Sequence, residues 1–478
     1  MRNEVSRGLF WKLLERFGVS GAQFILQIIL ARLLDPEHYG ALSIMVIFTT
    51  LATVFIQTGF NTALVQSKDV DEDDYSSVLW VSVGIAVIMY AIIFAVSPVI
   101  AIFYDMPYIV APMRVLALML FPGALNSVQL AKVSRTMDFR KVFYSNVGAV
   151  VFSGVTGIII ALLGGGLWAL VAQSTINVLV ACLIMRFTVK IRIRLVCNIK
   201  RVSKLFSFGW KLLVSTLIDT LYQDLRSLVI GKKYDSSTLG YYNRGKQFPH
   251  FIIAAVNGAV QSVMLPAMSA EQDDKTKVKA MARNSIMMSS YIIFPIMAGL
   301  AAVATPLVSV LLTDKWLPCV PYLQIYCFTM AFYPVHSCNL QAINAIGRSD
   351  MFLRLEIIKK SYGIIALIIA VVFFDSPLAI ALTGVFTTFI SSFVNAFPNK
   401  KLIGYSYFEQ MRDILPSMLV SIIMLVAVFA VGLLDVAPIL LLLIQVVVGV
   451  LVYLLLSVIF RLRPFVMTCK AIKVALKK

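Results

Sequence analysis

Charged residues are scarce in this chain. Asp, Glu, Lys and Arg make up 14% of its 478 residues and hydrophobic residues 60%, whereas soluble domains average about 25% charged and about 45–50% apolar residues. The mean hydropathy is +0.88, and uncharged apolar runs of about 20 residues, the length of a membrane-spanning helix, recur along the chain. This composition excludes a soluble globular protein and predicts that most of the chain lies in lipid.

The chain also lacks the residue spacings that mark metal, disulfide and catalytic sites. Its six cysteines lie far apart, with no CxxC pair and no histidine cluster, which argues against a zinc site and a disulfide framework. It contains no HExxH, GxSxG or Walker nucleotide-binding motif. We therefore expect no enzyme activity, no cofactor and no metal site.

Apolar windows separated by Gly, Pro and charged residues predict about fourteen transmembrane helices. Because the windows are continuous and show no two-residue alternation, they favour helices over a membrane barrel of strands. The windows are 10–33, 40–65, 77–103, 110–131, 144–163, 167–186, 207–231, 248–268, 284–312, 320–345, 358–374, 377–397, 414–434 and 437–460. Kinks or discontinuities are expected at the prolines inside these windows, which are Pro122, Pro295, Pro306 and Pro334. The expected fold class is an all-α polytopic membrane protein.

Basic residues lie almost entirely on one side of the predicted bundle. If the N-terminus is assigned to that side, 31 Lys and Arg residues fall there and 5 fall on the other side. Loops rich in Lys and Arg stay in the cytoplasm, so both termini are expected to be cytoplasmic. One loop is unusual, because the acidic stretch Asp69–Asp74 also falls on the cytoplasmic side.

A short sequence repeat relates the two halves of the chain. The tetrapeptide Trp11–Leu14 (WKLL) recurs 199 residues later as Trp210–Leu213. A second set of residues matches at an offset of 200, in which the pairs are Arg32 and Lys232, Asp35 and Asp235, and Gly40 and Gly240. Because each half would hold six helices, an even number, the halves are expected to be parallel repeats.

The repeat predicts the domain organisation. Residues 1–186 would form an N-terminal six-helix lobe, residues 187–206 a basic cytoplasmic linker, and residues 207–398 a C-terminal six-helix lobe. Residues 399–478 would add helices 13 and 14 and a basic cytoplasmic tail. No connection is long enough for a separate folded domain, so transport must take place within the helix bundle.

Polar residues form a stripe on the first helix of each half. Positions that are 4, 8, 11 and 15 residues apart lie within about 80° of one another on an α-helix. The stripes are Lys12, Arg16, Ser20, Gln23 and Gln27 in helix 1, and Lys211, Ser215, Asp219, Tyr222 and Arg226 in helix 7. A charge at mid-membrane costs about 2.5–3.5 kcal/mol on insertion scales, so neither stripe should face lipid. We expect the two helices to line one water-filled cavity between the halves.

The basic pair of helix 1 has two interpretations. Lys12 and Arg16 could anchor the helix at the cytoplasmic interface, with their charged ends reaching into water. They could instead form a cationic patch at the mouth of the cavity. Gln23 and Gln27 favour the patch, because they extend the stripe deeper than an anchor requires.

Two further segments also remain open to a structural interpretation. The polar residues of helix 7 could form a salt-bridge network, or they could contact substrate, with Asp219 and Asp224 as candidates for ion coupling. The alternating basic and apolar segment Thr188–Leu195 could be a solvated linker, or an interfacial segment that touches anionic head groups.

Three motifs resemble those of a known family of membrane transporters. They are Ser6–Trp11 (SRGLFW), Ala31–Gly40 (ARLLDPEHYG) and Leu239–Arg244 (LGYYNR). With the fourteen-helix pattern, they make the whole chain similar to bacterial polysaccharide flippases of the multidrug/oligosaccharidyl-lipid/polysaccharide (MOP) exporter superfamily, of the colanic-acid and teichuronic-acid exporter type. The resemblance implies a MATE-like fold in which two lobes rock about a central cavity.

The resemblance also implies a substrate and a role for each stripe. The substrate would be an undecaprenyl-pyrophosphate-linked oligosaccharide, flipped across the bacterial inner membrane for the biosynthesis of O-antigen, capsule or exopolysaccharide. Lys12 and Arg16 would attract the pyrophosphate. Sugar hydroxyls would be bound by Ser20, Gln23, Gln27 and Tyr222, and the second wall would be completed by Lys211, Asp219 and Arg226.

Expected partners are the lipid-linked glycan, membrane lipids and polysaccharide polymerase or assembly proteins, but not nucleic acid, and the protein is expected to be a monomer. The main alternative is a cation-coupled drug or metabolite antiporter of the same superfamily. The positive stripes argue against it, because organic cations would prefer an acidic cavity. A glycan polymerase or acyltransferase is a third alternative, which would normally need a large outer loop or a buried histidine-based acid/base pair.

Overall fold

The structure is a computed structural model that describes residues 11, 18–57, 61, 64–65, 67, 70–189, 191, 193–196 and 198–475. Within these ranges every regular element is a helix and no strand occurs. The predicted all-α fold class is therefore confirmed. The chain divides into two compact units, unit 1 (Met1–Gly240) and unit 2 (Tyr241–Lys478).

Unit 1 contains seven helices and the first residues of an eighth. They are α1 (Ser20–Leu33), α2 (Pro36–Gln57), α3 (Glu72–Phe103), α4 (Pro107–Thr136), α5 (Phe139–Leu162), α6 (Leu167–Thr188), α7 (Ile199–Lys233) and the start of α8 (Ser236–Ala270). Helix α4 is assembled from consecutive segments, since a 3-10 turn at Pro107–Ile109 precedes the helices Val110–Ala117 and Leu120–Thr136.

Unit 2 contains the remainder of α8 and nine further helices. They are α9 (Lys275–Ala302), α10 (Ala304–Leu312), α11 (Val320–Ala331), α12 (Tyr333–Ala345), α13 (Ser349–Phe373), α14 (Pro377–Ala396), α15 (Tyr407–Val431), α16 (Pro438–Ile459) and α17 (Arg463–Ala475). A short helical segment, Asp314–Cys319, connects α10 to α11, and another, Asn399–Leu402, follows α14.

Most described residues of the fourteen apolar windows are helical, but turns interrupt the windows 110–131, 284–312 and 320–345. Nine helices in the described ranges are long and apolar enough to cross a membrane, which confirms a polytopic membrane protein. Helices α7 and α8 have 35 residues each and are not among these nine. The count of fourteen spans and the boundaries of the two six-helix lobes, the linker and the added helix pair stay predictions.

Small residues bring α5 and α6 close together. A Cβ atom at Gly148 would lie 2.4 Å from Cδ1 of Ile184, and one at Gly157 would lie 3.0 Å from Cβ of Gln173. Lipid supplies no hydrophobic force between helices, so close van der Waals packing at small residues holds such pairs together. These glycines therefore explain why α5 and α6 form a tight hairpin.

Three of the four prolines mark helix breaks. Pro122, Pro306 and Pro334 each lie in the first turn of a helix that follows an interruption, after Ala117, Ala302 and Ala331 respectively. Proline is tolerated there because the first-turn N–H groups have no partner within the helix. Pro295, in contrast, lies inside α9 without ending it.

Tyrosine hydrogen bonds attach α16 to α9. The Tyr453 hydroxyl donates to the backbone oxygen of Tyr291 at 2.7 Å, and the Tyr291 hydroxyl donates to Oγ of Ser457 at 3.2 Å. Val420 and Met424 of α15 belong to the same buried cluster. The last two membrane helices are thus an integral part of unit 2.

A buried amide network fixes the start of α15. Asn339, Asn399 and Gln410 are each at most 1% exposed. Nδ2 of Asn339 donates to Oε1 of Gln410 at 2.7 Å, and Nε2 of Gln410 donates back to Oδ1 of Asn339 at 2.9 Å. Asn399 Nδ2 donates to the same Oδ1 at 2.7 Å. The network ties α12, the segment after α14 and α15 together.

Candidate functional site

Only three residues of the predicted helix 1 stripe lie in the described part of the chain. Lys12 and Arg16 lie outside the described residues. On α1, Ser20 is exposed, and Gln23 and Gln27 are half-buried. Ser20 is therefore accessible to a ligand, and Gln23 and Gln27 are accessible in part.

Helix α1 packs on α5 through a different face. Leu26 is 5% exposed, and a Cβ atom at Gly154 of α5 would lie 3.1 Å from its Cδ1 atom. Gln27 follows Leu26 directly, which rotates its side chain by about 100° around the helix. The Gln27 side chain therefore leaves the helix in a different direction from Leu26, which contacts α5.

The stripe of helix 7 becomes more buried towards its C-terminal end. Lys211 and Ser215 are exposed, and the stripe residues that follow are half-buried, namely Asp219, Tyr222 and Arg226. Asp224, the second ion-coupling candidate, is also half-buried. Nε2 of Gln223 donates to Oδ2 of Asp219 at 2.7 Å. This contact shows that Asp219 belongs to a polar network on α7.

Within unit 1, the C-terminal end of α7 is packed more closely than the preceding part of the same helix. This end packs against α2, where a Cβ atom at Gly231 would lie 2.7 Å from Cδ1 of Ile44. Leu212, Ile218 and Leu221, in the preceding part, are all exposed apolar side chains. The prediction that the α1 and α7 stripes line one cavity stays a prediction, as do the roles of their residues.

The beginnings of α2 and α8 cross at the residues of the sequence repeat. A Cβ atom at Gly40 would lie 1.7 Å from the backbone oxygen of Ser236, and one at Gly240 would lie 2.1 Å from the backbone oxygen of Pro36. Each repeat glycine thus meets the first residue of the other helix. The offset-200 match between these glycines therefore reflects a packing requirement that only glycine fulfils.

Side chains from the neighbouring loop surround this crossing. The Tyr108 hydroxyl donates to Oε1 of Glu37 at 3.1 Å and is also hydrogen-bonded to Ser236. Lys232 Nζ lies 3.2 Å from Oδ2 of Asp105. Exposed ion pairs contribute about 0–1 kcal/mol, so the backbone contact at the glycines is the principal constraint.

The basic linker docks on the start of α3. Val189 and Ile191 are 3% and 5% exposed and join the apolar cluster beneath that helix. Arg194 Nη1 lies 2.9 Å from Oδ1 of Asp73, and Nε1 of Trp80 donates to the Arg194 backbone oxygen at 2.9 Å. Ile193 packs against the same cluster, whereas Leu195 is 90% exposed. The segment thus docks on protein through its first apolar residues, and the choice between a solvated linker and an interfacial segment stays a prediction.

The acidic loop on the predicted cytoplasmic side has its charges matched. Asp71 and Asp74 form a reciprocal capping box at the start of α3, where the helix dipole favours negative charge. Oε1 of Glu72 lies 2.5 Å from Nζ of Lys132. The acidic stretch that did not fit the charge asymmetry is therefore explained by helix capping and local pairing.

An exposed arginine–carboxylate pair precedes α13. Nε and Nη2 of Arg348 each lie 2.9 Å from an oxygen of Asp350. These donors lower the pKa of Asp350 from 3.8 to about 2, because they stabilise its charged form. Both charged groups of this pair, at the start of α13, are exposed to solvent.

Unit 2 contains an apolar cavity that sequence reasoning missed. Its volume is about 580 Å3, and most of its wall comes from α9, α15 and α16. Gln445 and Tyr453 are the lining residues with polar groups. Nε2 of Gln445 donates to the Val428 backbone oxygen at 3.1 Å, and the Tyr453 hydroxyl is bonded within the helix packing. A space this size with an apolar wall suits a hydrocarbon chain.

The LGYYNR motif has a packing role in unit 2. Arg244 is 3% exposed, and its guanidinium carbon lies 5.1 Å from the ring centroid of Trp316. Arg244 Nη1 also donates to Oε1 of Gln247 at 2.7 Å. The Tyr242 hydroxyl is hydrogen-bonded to that of Tyr326 in α11. The motif therefore attaches α8 to the segments that follow α10.

Metal-binding and redox chemistry receive no support from the described part of the chain. Within it, no group of three or more His, Cys, Asp or Glu residues could hold a metal ion. Its cysteines are free thiols, four of them buried, namely Cys182, Cys319, Cys327 and Cys338. Cys197 lies outside the described residues.

A sequence model of one protein family matches most of this architecture. The family is described as polysaccharide biosynthesis protein, and the match covers residues 29–321, more than half of the chain. The chain belongs to this family. The matched range begins within α1 and ends at the start of α11, so it includes the Gly40–Gly240 crossing and all of α7.

Three sequence relatives are similar over long stretches. The succinoglycan biosynthesis transport protein ExoT of Rhizobium meliloti (strain 1021) is 24% identical over 72% of this chain and 70% of its own length. The teichuronic acid biosynthesis protein TuaB of Bacillus subtilis (strain 168) is 23% identical over 63% of both chains. The lipopolysaccharide biosynthesis protein WzxC of Escherichia coli (strain K12) is 22% identical over 90% of this chain and 88% of its own.

Solved structures share the fold. The lipid II flippase MurJ, in an inward closed conformation, aligns with a TM-score of 0.74 at 17% identity, over 92% of this chain and 98% of its own. An inward-facing multidrug resistance MATE family transporter of the MOP superfamily aligns with a TM-score of 0.66 at 15% identity, over 82% and 98% of the two chains. The MATE-like fold is therefore confirmed.

The family match and the sequence relatives confirm the resemblance to bacterial polysaccharide exporters, and the solved structures confirm the expected fold. This protein is an integral membrane transporter and not an enzyme. Its substrate, its orientation and the residues that bind substrate are the subject of the proposal below.

Proposed function

We propose that this protein flips undecaprenyl-pyrophosphate-linked oligosaccharide units from the inner to the outer leaflet of the bacterial inner membrane. The units would serve the biosynthesis of a surface polysaccharide such as O-antigen, capsule or exopolysaccharide. Transport would follow alternating access through a cationic cavity. ExoT, TuaB and WzxC, named for polysaccharide biosynthesis, and MurJ, named as a lipid II flippase, support this substrate class.

The apolar cavity of unit 2 carries the lipid-linked part of the proposal. A transporter of soluble sugars has no need for an apolar space of about 580 Å3 among its membrane helices. A prenyl chain that enters it from lipid gains no hydrophobic free energy, because lipid is equally apolar, and would instead be held by van der Waals packing against the cavity wall. The cavity would hold part of the tail while polar residues elsewhere contact the head group.

The polar stripes would supply the head-group contacts. Lys12 and Arg16 would attract the pyrophosphate, because cations and fork-shaped guanidinium groups match phosphate oxygens. Sugar hydroxyls would bond to Ser20, Gln23, Gln27 and Tyr222, and Lys211 and Arg226 would complete the second wall. Asp219 and Asp224 are proposed to bind the coupling ion, since half-buried carboxylates in membrane helices commonly mark ion pathways.

The proposal includes a topology with both termini in the cytoplasm. The asymmetry of 31 to 5 basic residues supports it. The ion pairs of Glu72 with Lys132 and of Asp73 with Arg194 make two acidic charges on that side compatible with the proposed topology. Expected partners are membrane lipids and glycan polymerase or assembly proteins, and the flippase is expected to act as a monomer.

Deleting the gene tests the proposal directly. Surface polysaccharide should disappear, and undecaprenyl-pyrophosphate-linked units should accumulate at the inner leaflet. Complementation with Arg16→Ala or Asp219→Ala should leave display impaired although the protein inserts normally. Asp273→Ala, at an exposed position between α8 and α9, is the matched control and should restore display. Normal display in both stripe variants would refute the cavity assignment.

A cavity-filling variant tests the lipid tail separately. A Cβ atom at Gly299 would lie 3.7 Å from Met424 Cε, an ordinary contact, so Gly299→Leu should fold and extend into the cavity. We expect reduced glycan display. Gly84→Leu is the control, because nothing lies within 4 Å of a Cβ at that exposed position. Full display with Gly299→Leu would mean that the tail stays in bulk lipid.

The second candidate is a cation-coupled drug or metabolite antiporter, which the fold shared with a MATE transporter favours. It predicts the opposite phenotype, with altered drug susceptibility and unchanged surface polysaccharide. The same deletion strain distinguishes the two functions when glycan display and susceptibility to cationic drugs are measured together.

A further inference from the structure

An arginine at the start of α5 is surrounded by aromatic rings. The guanidinium carbon of Arg140 lies 5.5 Å from the ring centroid of Tyr144 and 5.7 Å from that of Trp11. The Trp11 ring centroid lies 5.4 Å from that of Phe143 and 5.8 Å from that of Tyr144. We name these four residues the aromatic–arginine cluster.

Arg140 differs from the basic residues near it. Lys141 Nζ lies 3.0 Å from Oδ2 of Asp138, and Arg194 and Lys132 pair with carboxylates of α3. Among the described residues, no carboxylate pairs with Arg140, whose recorded contacts are the two rings. Contact with aromatic rings steadies a guanidinium group without using its N–H donors. Arg140 is exposed, so those donors can reach a ligand.

The cluster lies beside the beginning of the α1 stripe. A Cβ atom at Gly18 would lie 3.8 Å from Cε2 of Phe143, and Leu26 meets Gly154 further along α5. Phe143 and Gly154 of α5 thus contact Gly18 and Leu26, which flank the beginning of the described part of the stripe at Ser20.

We infer that the aromatic–arginine cluster is a docking site for the pyrophosphate of the lipid-linked substrate, at which the head group is captured before it reaches the stripe. This inference rests on the proposed function. Arg140 would bind phosphate oxygens in a bidentate manner. Tyr144, whose ring is 48% exposed, would offer a face to the first sugar.

Membrane anchoring is the competing explanation for such a cluster. Aromatic and basic side chains are enriched at both membrane interfaces and hold helices at a fixed depth. An anchor requires a positive charge and ring surface, and lysine supplies the charge as well as arginine does. A phosphate-binding fork requires the planar guanidinium, and lysine does not replace it. Arg140→Lys therefore separates the two explanations.

Equilibrium binding of undecaprenyl pyrophosphate to purified protein in detergent is the test. We expect Arg140→Lys and Arg140→Gln to weaken binding at least about tenfold. The control is Arg186→Gln, because Arg186 is exposed in the last turn of α6 and no aromatic contact is recorded for it in the described chain. It should stay within about twofold of the wild type, by the same reasoning on exposed charges.

Two further variants test the ring of Tyr144. Every variant in this experiment is first shown to unfold at the wild-type melting temperature. Tyr144→Phe should bind like the wild type because it retains the ring, whereas Tyr144→Ala should bind more weakly. Wild-type affinity in Arg140→Lys would overturn the inference in favour of anchoring. So would an equal loss of affinity for short-chain phosphatidylglycerol, since the site would then recognise any anionic head group.

The outcome distinguishes this inference from the proposed function. If the wild-type protein fails to bind undecaprenyl pyrophosphate, the proposed lipid-linked substrate is wrong. If the wild type binds it and all Arg140 variants bind equally well, the docking site is wrong while the proposed function stands.

Discussion

The crossing of α2 and α8 gives the sharpest prediction for stability. Gly40→Ala adds a methyl group whose carbon would lie 1.7 Å from the Ser236 backbone oxygen. Ordinary contact begins at 3.4 Å, so the two helices must separate by about 1.7 Å at this point. A flexible side chain could move aside, but a backbone oxygen moves only with its helix.

The expected cost follows from overpacking. Forcing a methyl group into a packed contact costs about 1–3 kcal/mol, and the backbone partner puts Gly40→Ala at the upper end of that range. Alanine regains about 0.5–1 kcal/mol of helix propensity. We therefore expect a net loss of about 2–2.5 kcal/mol, and each kcal/mol lowers the melting temperature of a unit of this size by about 2–4 °C.

A thiol-reactive fluorophore provides the assay, because the buried free cysteines become accessible only on unfolding. Gly84→Ala is the matched control, since its Cβ would have nothing within 4 Å, and it should be neutral or slightly stabilising. Gly240→Ala should destabilise like Gly40→Ala, and the double variant should lose less than the sum, because opening one contact relieves the other. Wild-type stability of Gly40→Ala, or an equal loss in Gly84→Ala, would refute the reasoning.

Three further predictions concern the loops and the buried amides. Asp73→Asn should speed tryptic cleavage at Arg194 by up to about fivefold, since an exposed pair is worth about 0–1 kcal/mol; the difference should vanish in 1 M salt, and its persistence there would exclude an ionic cause. Gln410→Leu should cost about 1–3 kcal/mol, because it removes both hydrogen bonds between the Gln410 and Asn339 amides in the protein interior; an unchanged melting temperature would contradict the network. Because the pKa of Asp350 is lowered, its stabilising effect should be full above pH 3.8 and lost as the pH falls toward about 2; Asp350→Asn should therefore melt below the wild type at pH 7 and level with it near pH 2, and a constant difference would be contrary evidence.

The membrane helices could be predicted because their signal is local. A run such as Pro438–Ile459 carries the apolar length that lipid requires, whatever it packs against. The polar stripes of α1 and α7 were also visible, since their spacing follows from the helical repeat alone. The charge pattern gave a topology for the same reason, although it left the acidic loop before α3 unexplained.

Contacts between distant residues could not be predicted in the same way. Nothing near Asp73 in the sequence indicates its partner Arg194, 121 positions away. Gly40 and Gly240 likewise occupy equivalent positions of the sequence repeat, but the repeat does not indicate that their helices touch. Lys12 and Arg16 lie outside the described residues, so the cationic mouth of the predicted cavity rests on sequence reasoning.

The amino-acid sequence by itself determined that this protein is a helical membrane protein with a polar stripe on each of two helices, because composition and helical periodicity act over a few turns of chain. Only the tertiary structure decided that the repeat glycines meet at one crossing, that the linker is held by α3, that Arg140 contacts two aromatic rings, and that α9, α15 and α16 line an apolar cavity. Each of these features needs side chains from separate helices to meet in three dimensions. That arrangement depends on how the helices pack, which no single stretch of sequence encodes.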